Sequence, residues 1–152
     1  MKTNKLGNYY EDFIIGKVVK HPLSKTIFES DNNMFSLLTM NYHPIHTNID
    51  YAKKNQHSKI LVVGTLVFSL AVGITVPEIS GKAIANLEYL NIIHHNPVFL
   101  NDTIYVSTTI LDKFESTTKK DRGIIHVKSF VYNQNQELVL TFERKVLIKK
   151  KC

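Results

Sequence analysis

Four consecutive segments in the second half of the chain alternate apolar and polar residues with period two. They are "AIANLEYLNII" (83–93), "DTIYVSTTILDKFES" (102–116), "GIIHVKSFVYNQNQ" (123–136) and "ELVLTFERKVLIKK" (137–150). Period two sends successive side chains to opposite faces, so each segment predicts a strand buried on one side. In the third, Ile125, Val127, Ser129 and Val131 oppose Ile124, His126, Lys128 and Phe130. "NQNQE" between the third and fourth reads as a hairpin turn, because Asn tolerates the left-handed backbone such turns require.

A sheet with one apolar face needs an apolar cover. Ile60–Val76 is the one long apolar run, and "VVGTLVFSLAVGITVPEI" is apolar nearly all round, as a helix wrapped by other structure has to be. Gly64, Thr65, Ser69, Gly73 and Thr75 dilute the run, and Pro77 with Glu78 closes it. It is short for a membrane span and reads as a buried core helix. Upstream, Ile14–Phe28 predicts an extended strand. Asn32–Met40 predicts a short helix capped by Ser30, Pro44 the end of any helix, and Asp50–Asn55 a second short helix capped by Asn48 or Asp50. The expected architecture is α+β: a curved, mostly antiparallel sheet around one central helix.

The bulk properties fit one soluble domain. The chain has 152 residues, no repeat and no low-complexity linker. Its only cysteine is Cys152, so no intrachain disulfide can form and a reducing, cytoplasmic setting is expected. "MKTNKLGNYYEDF" lacks the apolar core of a secretory signal. The net charge of +6 is shared evenly between the two halves, and only the tail "IKKKC" is a basic cluster. No stripe of basic and aromatic residues marks a nucleic-acid surface, so neither nucleic acid nor membrane is an expected partner.

The richest local constellation is "NYHPIHTNIDYA", Asn41 to Ala52. Of the seven histidines, His126 reads as an ordinary strand residue and His57 as a loop residue. His94 and His95 are adjacent on a strand, so at most one of them is expected in any one site. His43 and His46 are the better candidates, because Pro44 holds them in a loop next to a helix. A metal set of His43, His46 and Asp50 lacks local Cys or Glu and the regular helical spacing of a strong motif, so no metal is expected. Gly64 opens the apolar helix, where unsatisfied backbone amides can hold an oxyanion and a glycine permits close approach.

Together these pieces resemble the MaoC-like hydratase family of the hotdog fold. The family motif is Asp-x-Asn-Pro-Leu-His, followed by an apolar segment with Gly at the head of the central helix. The matching residues are Asn41, Tyr42, His43, Pro44, Ile45 and His46, with Gly64 downstream. "NPVFLNDTIYVSTTIL" resembles the family's Pro-Val-x-x-Gly-Asp-Thr-Leu, with Asn101 in place of its glycine. "GNYYEDFIIGKVV" and "VPEISGKAIANLEYL" are similar to the branch containing mesaconyl-CoA hydratases, also called β-methylmalyl-CoA dehydratases.

The resemblance implies a hotdog domain over residues 9–148, flanked by an N-terminal extension (1–8) and a basic tail (149–152). It also implies reversible addition of water to the double bond of a 2-enoyl-CoA thioester, such as mesaconyl-CoA or another short branched acyl-CoA. No cofactor is expected beyond the CoA of the substrate. Carried over residue by residue, His46 is the acid/base, Gly64 the oxyanion donor and Asn41 the occupant of the Asp position. His43, Pro44, Val63 and Thr65 would contact substrate. Asparagine can orient a water but cannot take its proton at neutral pH. That departure keeps two alternatives open: a non-catalytic acyl-CoA binder, and a thioesterase using Asp50. A second carboxylate on the acyl group would call for a cation such as Lys82 or Arg122. A homodimer or larger homo-oligomer is expected.

Overall fold

The computed structural model describes residues 6–151, so Cys152 and the first five residues lie outside the described part. The elements run β1 (Val18–Thr26), α1 (Glu29–Thr39), α2 (Pro44–Thr47), α3 (Ile49–Lys53), α4 (Gly64–Thr75), β2 (Ala83–His94), β3 (Thr103–Glu115), β4 (Arg122–Tyr132) and β5 (Leu138–Lys149). The five strands form one antiparallel sheet in the order β1-β3-β4-β5-β2. One face of the sheet packs against α4, as in the hotdog architecture that the resemblance implies.

The period-two segments become β2 to β5. On β4 the predicted faces hold: Ile125, Val127, Ser129 and Val131 have no solvent exposure, while their alternates are half-buried. One core cluster joins Val62, Val63, Leu66, Val67, Ala71 and Ile74 to sheet residues such as Ile104, Val106, Leu140 and Phe142. Phe68 meets Phe142 edge-on at 5.1 Å between ring centroids. A second cluster builds on Tyr10, Phe13, Ile79, Ile125, Val127 and Ile148. There Gly123 is required by close approach, since a Cβ at that position would lie 2.4 Å from the Tyr10 ring.

Several local expectations change. Pro44 does not end a helix: α1 stops earlier, at Met40 in a left-handed conformation (φ 57°), and Pro44 begins α2. At the first helical position its missing N–H costs nothing and its fixed φ is already helical. The residue before α1 is Phe28 rather than Ser30, and its amide donates to the Asp31 carboxylate at 2.9 Å. Asn48 does cap α3, accepting from the Tyr51 amide at 2.9 Å. Pro77 does not close the helical path, because Val76–Ser80 continues α4 as a wider π-type turn. In the β4–β5 hairpin the left-handed residue is Gln136 (φ 62°), while the Asn133 side chain accepts from the amides of Asn135 and Glu137. Asn101 also takes φ 71°, which explains how an asparagine can stand where the family has glycine.

The first and last described segments pack back onto the domain. Gly7 donates to the Pro77 carbonyl at 2.8 Å, and Asn8 to that of Glu78 at 2.8 Å. Two lysines of the basic tail form ion pairs: Lys150 with Glu115 and Lys151 with Asp12.

Candidate active site

A cleft of about 250 Å³ opens at the N-terminus of α4, lined by His46, Gly64, Val67, His94 and His95, with the segments Leu61–Val62 and Asn96–Val98 as walls. Three local decisions create it. The chain leaving α3 reaches α4 through a short extended piece, where Leu61 bridges Phe99 and the Val62 amide donates to the Val98 carbonyl at 2.9 Å. The short helix α2 is clamped to that piece by the Leu61 amide, 3.2 Å from the Ile45 carbonyl. The strand β2 ends at His94, so the chain turns and brings His95 to the same cleft.

His46 lies in the last turn of α2, half-buried, with Nδ1 2.7 Å from the carbonyl oxygen of Leu61. A carbonyl only accepts, so Nδ1 carries the proton and Nε2 keeps its lone pair. The backbone around it is fixed by Asn32, a fully enclosed side chain of α1. Its Nδ2 donates to the His46 carbonyl at 3.0 Å, and its Oδ1 accepts from the Val63 amide at 2.9 Å. Asn32 thus binds the histidine helix to the start of α4. Sequence periodicity does not single it out, because α1 buries the polar Asn32 and Ser36 and leaves Met34, Leu37 and Leu38 exposed.

At the head of α4 the first-turn amides of Gly64 and Thr65 have no intrahelical acceptor, as helix geometry dictates. They carry the partial positive charge of the helix terminus. Gly64 also admits a neighbour: a Cβ there would lie 3.0 Å from both Cε1 and Nε2 of His94. The His94 pKa is held below that of an ordinary imidazole, first by the protein packed around it and then by adjacent His95. His95 is occupied, with Nε2 2.9 Å from Thr141 Oγ1.

Of the expected residues, the fold brings His46 and Gly64 into the cleft. Asn41, His43, Pro44, Val63 and Thr65 do not line it. Asn41 Oδ1 faces the His43 amide at 3.5 Å, and His43 Nδ1 accepts from the Ile45 amide at 3.2 Å, so both shape the turn into α2. Val63 is buried beneath α4. Asp50 pairs with Lys54 on the surface, Arg122 pairs with Asp121, and Lys82 lies over the Tyr9 ring. None of these charged groups lines the cleft, and among the described residues no carboxylate does. Among the described residues no cluster of three or more His, Cys, Asp or Glu could hold a metal ion. The expectation that only one of His94 and His95 could enter one site is corrected, because the strand alternation ends with the strand.

A second histidine system lies away from the cleft. His21 on β1 is buried, with Nδ1 2.7 Å from Glu78 and Nε2 2.9 Å from Thr108 Oγ1, which in turn meets Ser129 Oγ at 2.8 Å. Burial lowers the His21 pKa, and Glu78 only partly offsets this.

Residues 12–131 match the MaoC like domain. The chain is 29% identical over 151 residues to a mesaconyl-CoA hydratase of Cereibacter sphaeroides, covering 99% of this chain and 43% of that protein. It is 31% identical over 150 residues to a β-methylmalyl-CoA dehydratase of Chloroflexus aurantiacus, covering 99% and 42%. It therefore spans less than half the length of these curated relatives. A solved MaoC domain protein of Chloroflexus aurantiacus superposes with a TM-score of 0.93 at 30% identity, over 100% of this chain and 43% of that one.

Proposed function

The chain belongs to the MaoC-like domain family, and from that membership we propose that it is a hydratase/dehydratase acting on the double bond of a 2-enoyl-CoA thioester. The carrying observation is one cleft that holds a histidine with a free Nε2 beside the amino end of a buried helix. The names of the two curated relatives, a mesaconyl-CoA hydratase and a β-methylmalyl-CoA dehydratase, favour a short branched acyl group.

In this reading the thioester oxygen meets the Gly64 amide. His46 Nε2 takes a proton from water as the water oxygen bonds to the β-carbon. The π electrons move through the α-carbon toward the thioester oxygen, where the helix amides stabilise the enolate-like charge. The His46 imidazolium then returns the proton to the α-carbon, so one group serves as base and acid and the elements of water are conserved. Asn41 does not line the cleft, so this scheme gives it no proton-transfer role. Thioester hydrolysis is disfavoured because among the described residues no carboxylate lines the cleft.

The partner is a CoA thioester and, in our proposal, a second copy of the chain. The edge strand β2 has one unpaired side and exposes Leu87, Tyr89, Ile92 and Ile93, while α1 exposes Met34, Leu37 and Leu38. A cytoplasmic setting fits the single cysteine in the sequence.

The test is loss of enoyl-thioester absorbance with mesaconyl-CoA and with crotonyl-CoA. Turnover by the wild type that disappears in His46→Ala supports the assignment. Binding without turnover would instead select a non-catalytic acyl-CoA binder, and release of free CoA a thioesterase.

A further inference from the structure

With His95, His94 is one of two cleft histidines that the proton-transfer scheme does not use. It closes β2 and presents its Cε1–Nε2 edge to Gly64, so near that a methyl group on Gly64 would stand 3.0 Å from those atoms. The side chain that fills the space above the helix terminus is therefore an imidazole. Its neighbours in the cleft already have partners: His46 Nδ1 is held by Leu61, and His95 Nε2 meets Thr141. No hydrogen bond from either ring nitrogen of His94 to another side chain or to the backbone is present among the described residues; the residue is exposed, and its ring lines the cleft against the helix end.

We propose that His94 is a second oxyanion donor, its ring N–H joining the Gly64 amide on the thioester oxygen of the bound enoyl-CoA. This deepens the hydratase reading of the same cleft and rests on it. A neutral imidazole has one N–H to give and one lone pair, and the amino end of a helix favours it over the cation because both carry positive charge. The lowered pKa of His94 agrees, since it keeps the ring neutral at neutral pH. A donor of this kind needs no proton transfer. It strengthens its hydrogen bond as the carbonyl oxygen gains charge, which stabilises the transition state more than the ground state.

The geometry also gives Gly64 two functions in one position. Its amide supplies one donor, and the absence of a side chain lets the second donor approach the same point.

The experiment compares wild type, His94→Ala and His94→Gln, each checked for an unchanged fold by circular dichroism and thermal melting. One readout is steady-state hydration of crotonyl-CoA. The other is the absorption maximum of bound cinnamoyl-CoA, which moves to longer wavelength when its carbonyl is polarised. The expected result is a fall in kcat of roughly 10²-fold in His94→Ala with little change in KM. The red shift of the bound chromophore should shrink in parallel, and both should partly return in His94→Gln, whose amide can still donate. A kcat within about threefold of wild type, or a lost kcat with the red shift intact, would overturn the assignment. A wild type that binds thioesters without hydrating them would sink the hydratase reading alone, because the red shift still reports on His94.

Discussion

The imidazole Nδ1 of His46 donates to the carbonyl oxygen of Leu61 across 2.7 Å, and this single bond fixes which nitrogen of the ring can act as a base. The acceptor is backbone, so its position is set by the fold: Leu61 is itself bound to α2 through Ile45 and bridged to Phe99. Replacing His46 by Gln keeps a polar side chain of similar reach but removes the basic nitrogen. Its kcat/KM for an enoyl-CoA should fall by roughly 10²- to 10⁴-fold with a melting temperature near that of wild type. Steady-state kinetics beside a thermal melt check this, and unchanged kinetics would remove His46 from the mechanism.

Asn32 should matter to both stability and activity. Its carboxamide satisfies the His46 carbonyl and the Val63 amide inside the core, so Asn32→Leu leaves two buried backbone groups without partners. Each such orphan costs about 1–3 kcal/mol. Chemical denaturation should show a loss of that order. Asn32→Asp should also be destabilised, since a carboxylate accepts from Val63 but cannot donate to the His46 carbonyl.

Gly64→Ala tests the close approach of the helix terminus and His94. The added methyl group would stand 3.0 Å from the ring, so the ring has to move. The shift required is a few tenths of an ångström, less than the ångström that can cost roughly 10²-fold in rate at a reacting centre. The expected variant folds, melts close to wild type and turns over more slowly by less than that factor; normal turnover would show that the ring and the helix end do not act together.

Acid should destabilise the fold through His21. Burial lowers its pKa in the folded state, so in the pH range below about 6.5 the unfolded chain binds the proton more readily than the folded one. Stability is then complete above that pH and declines as the pH falls toward the lowered folded value. Melting temperatures taken between about pH 7.5 and about pH 5.5 should drop for wild type and drop less for His21→Gln. Equal slopes would assign the acid sensitivity to other groups.

Arg144 offers a prediction of the opposite sign. Its guanidinium is buried, donating to Thr75 Oγ1 at 2.6 Å and paired with Tyr89, with Nε lacking a hydrogen bond and burial, only partly offset by Tyr89, lowering its pKa. Buried charges that are incompletely paired are often replaced by apolar groups of similar size at no cost. Arg144→Met should therefore be neutral or raise the melting temperature, and a loss above about 3 kcal/mol would mean that the charge is compensated better than its bonds indicate.

Legibility differed between fold and site for physical reasons. The strands β3 to β5 and the core helix were readable because period two and an all-round apolar run are local patterns that burial selects directly, whereas β2 is extended as expected but buries neither face in the single chain. The alternation of β4 sets Ser129 on one face with Ile125, Val127 and Val131, yet nothing local indicates that Thr108 would meet its hydroxyl or that His21 would in turn meet Thr108. Pro44 was misread because proline is incompatible with a helix interior but suits a first turn, and adjacent sequence did not separate the two. The tail reads as a basic cluster, and the pairing of Lys150 with Glu115 and Lys151 with Asp12 was not legible because those acids are remote in sequence.

The sequence by itself therefore determined the sheet, its buried face, the helix inside it and the positions of His46 and Gly64 along the chain. Tertiary structure decided what those two residues face. It put the Leu61 carbonyl behind His46 and joined α2 to α4 through Asn32. It also ended β2 where His94 comes to rest on Gly64. Each of these relations spans elements whose separation in sequence carries no periodic signal, and hydrogen-bond direction and close packing exist only once the chain has closed around its helix.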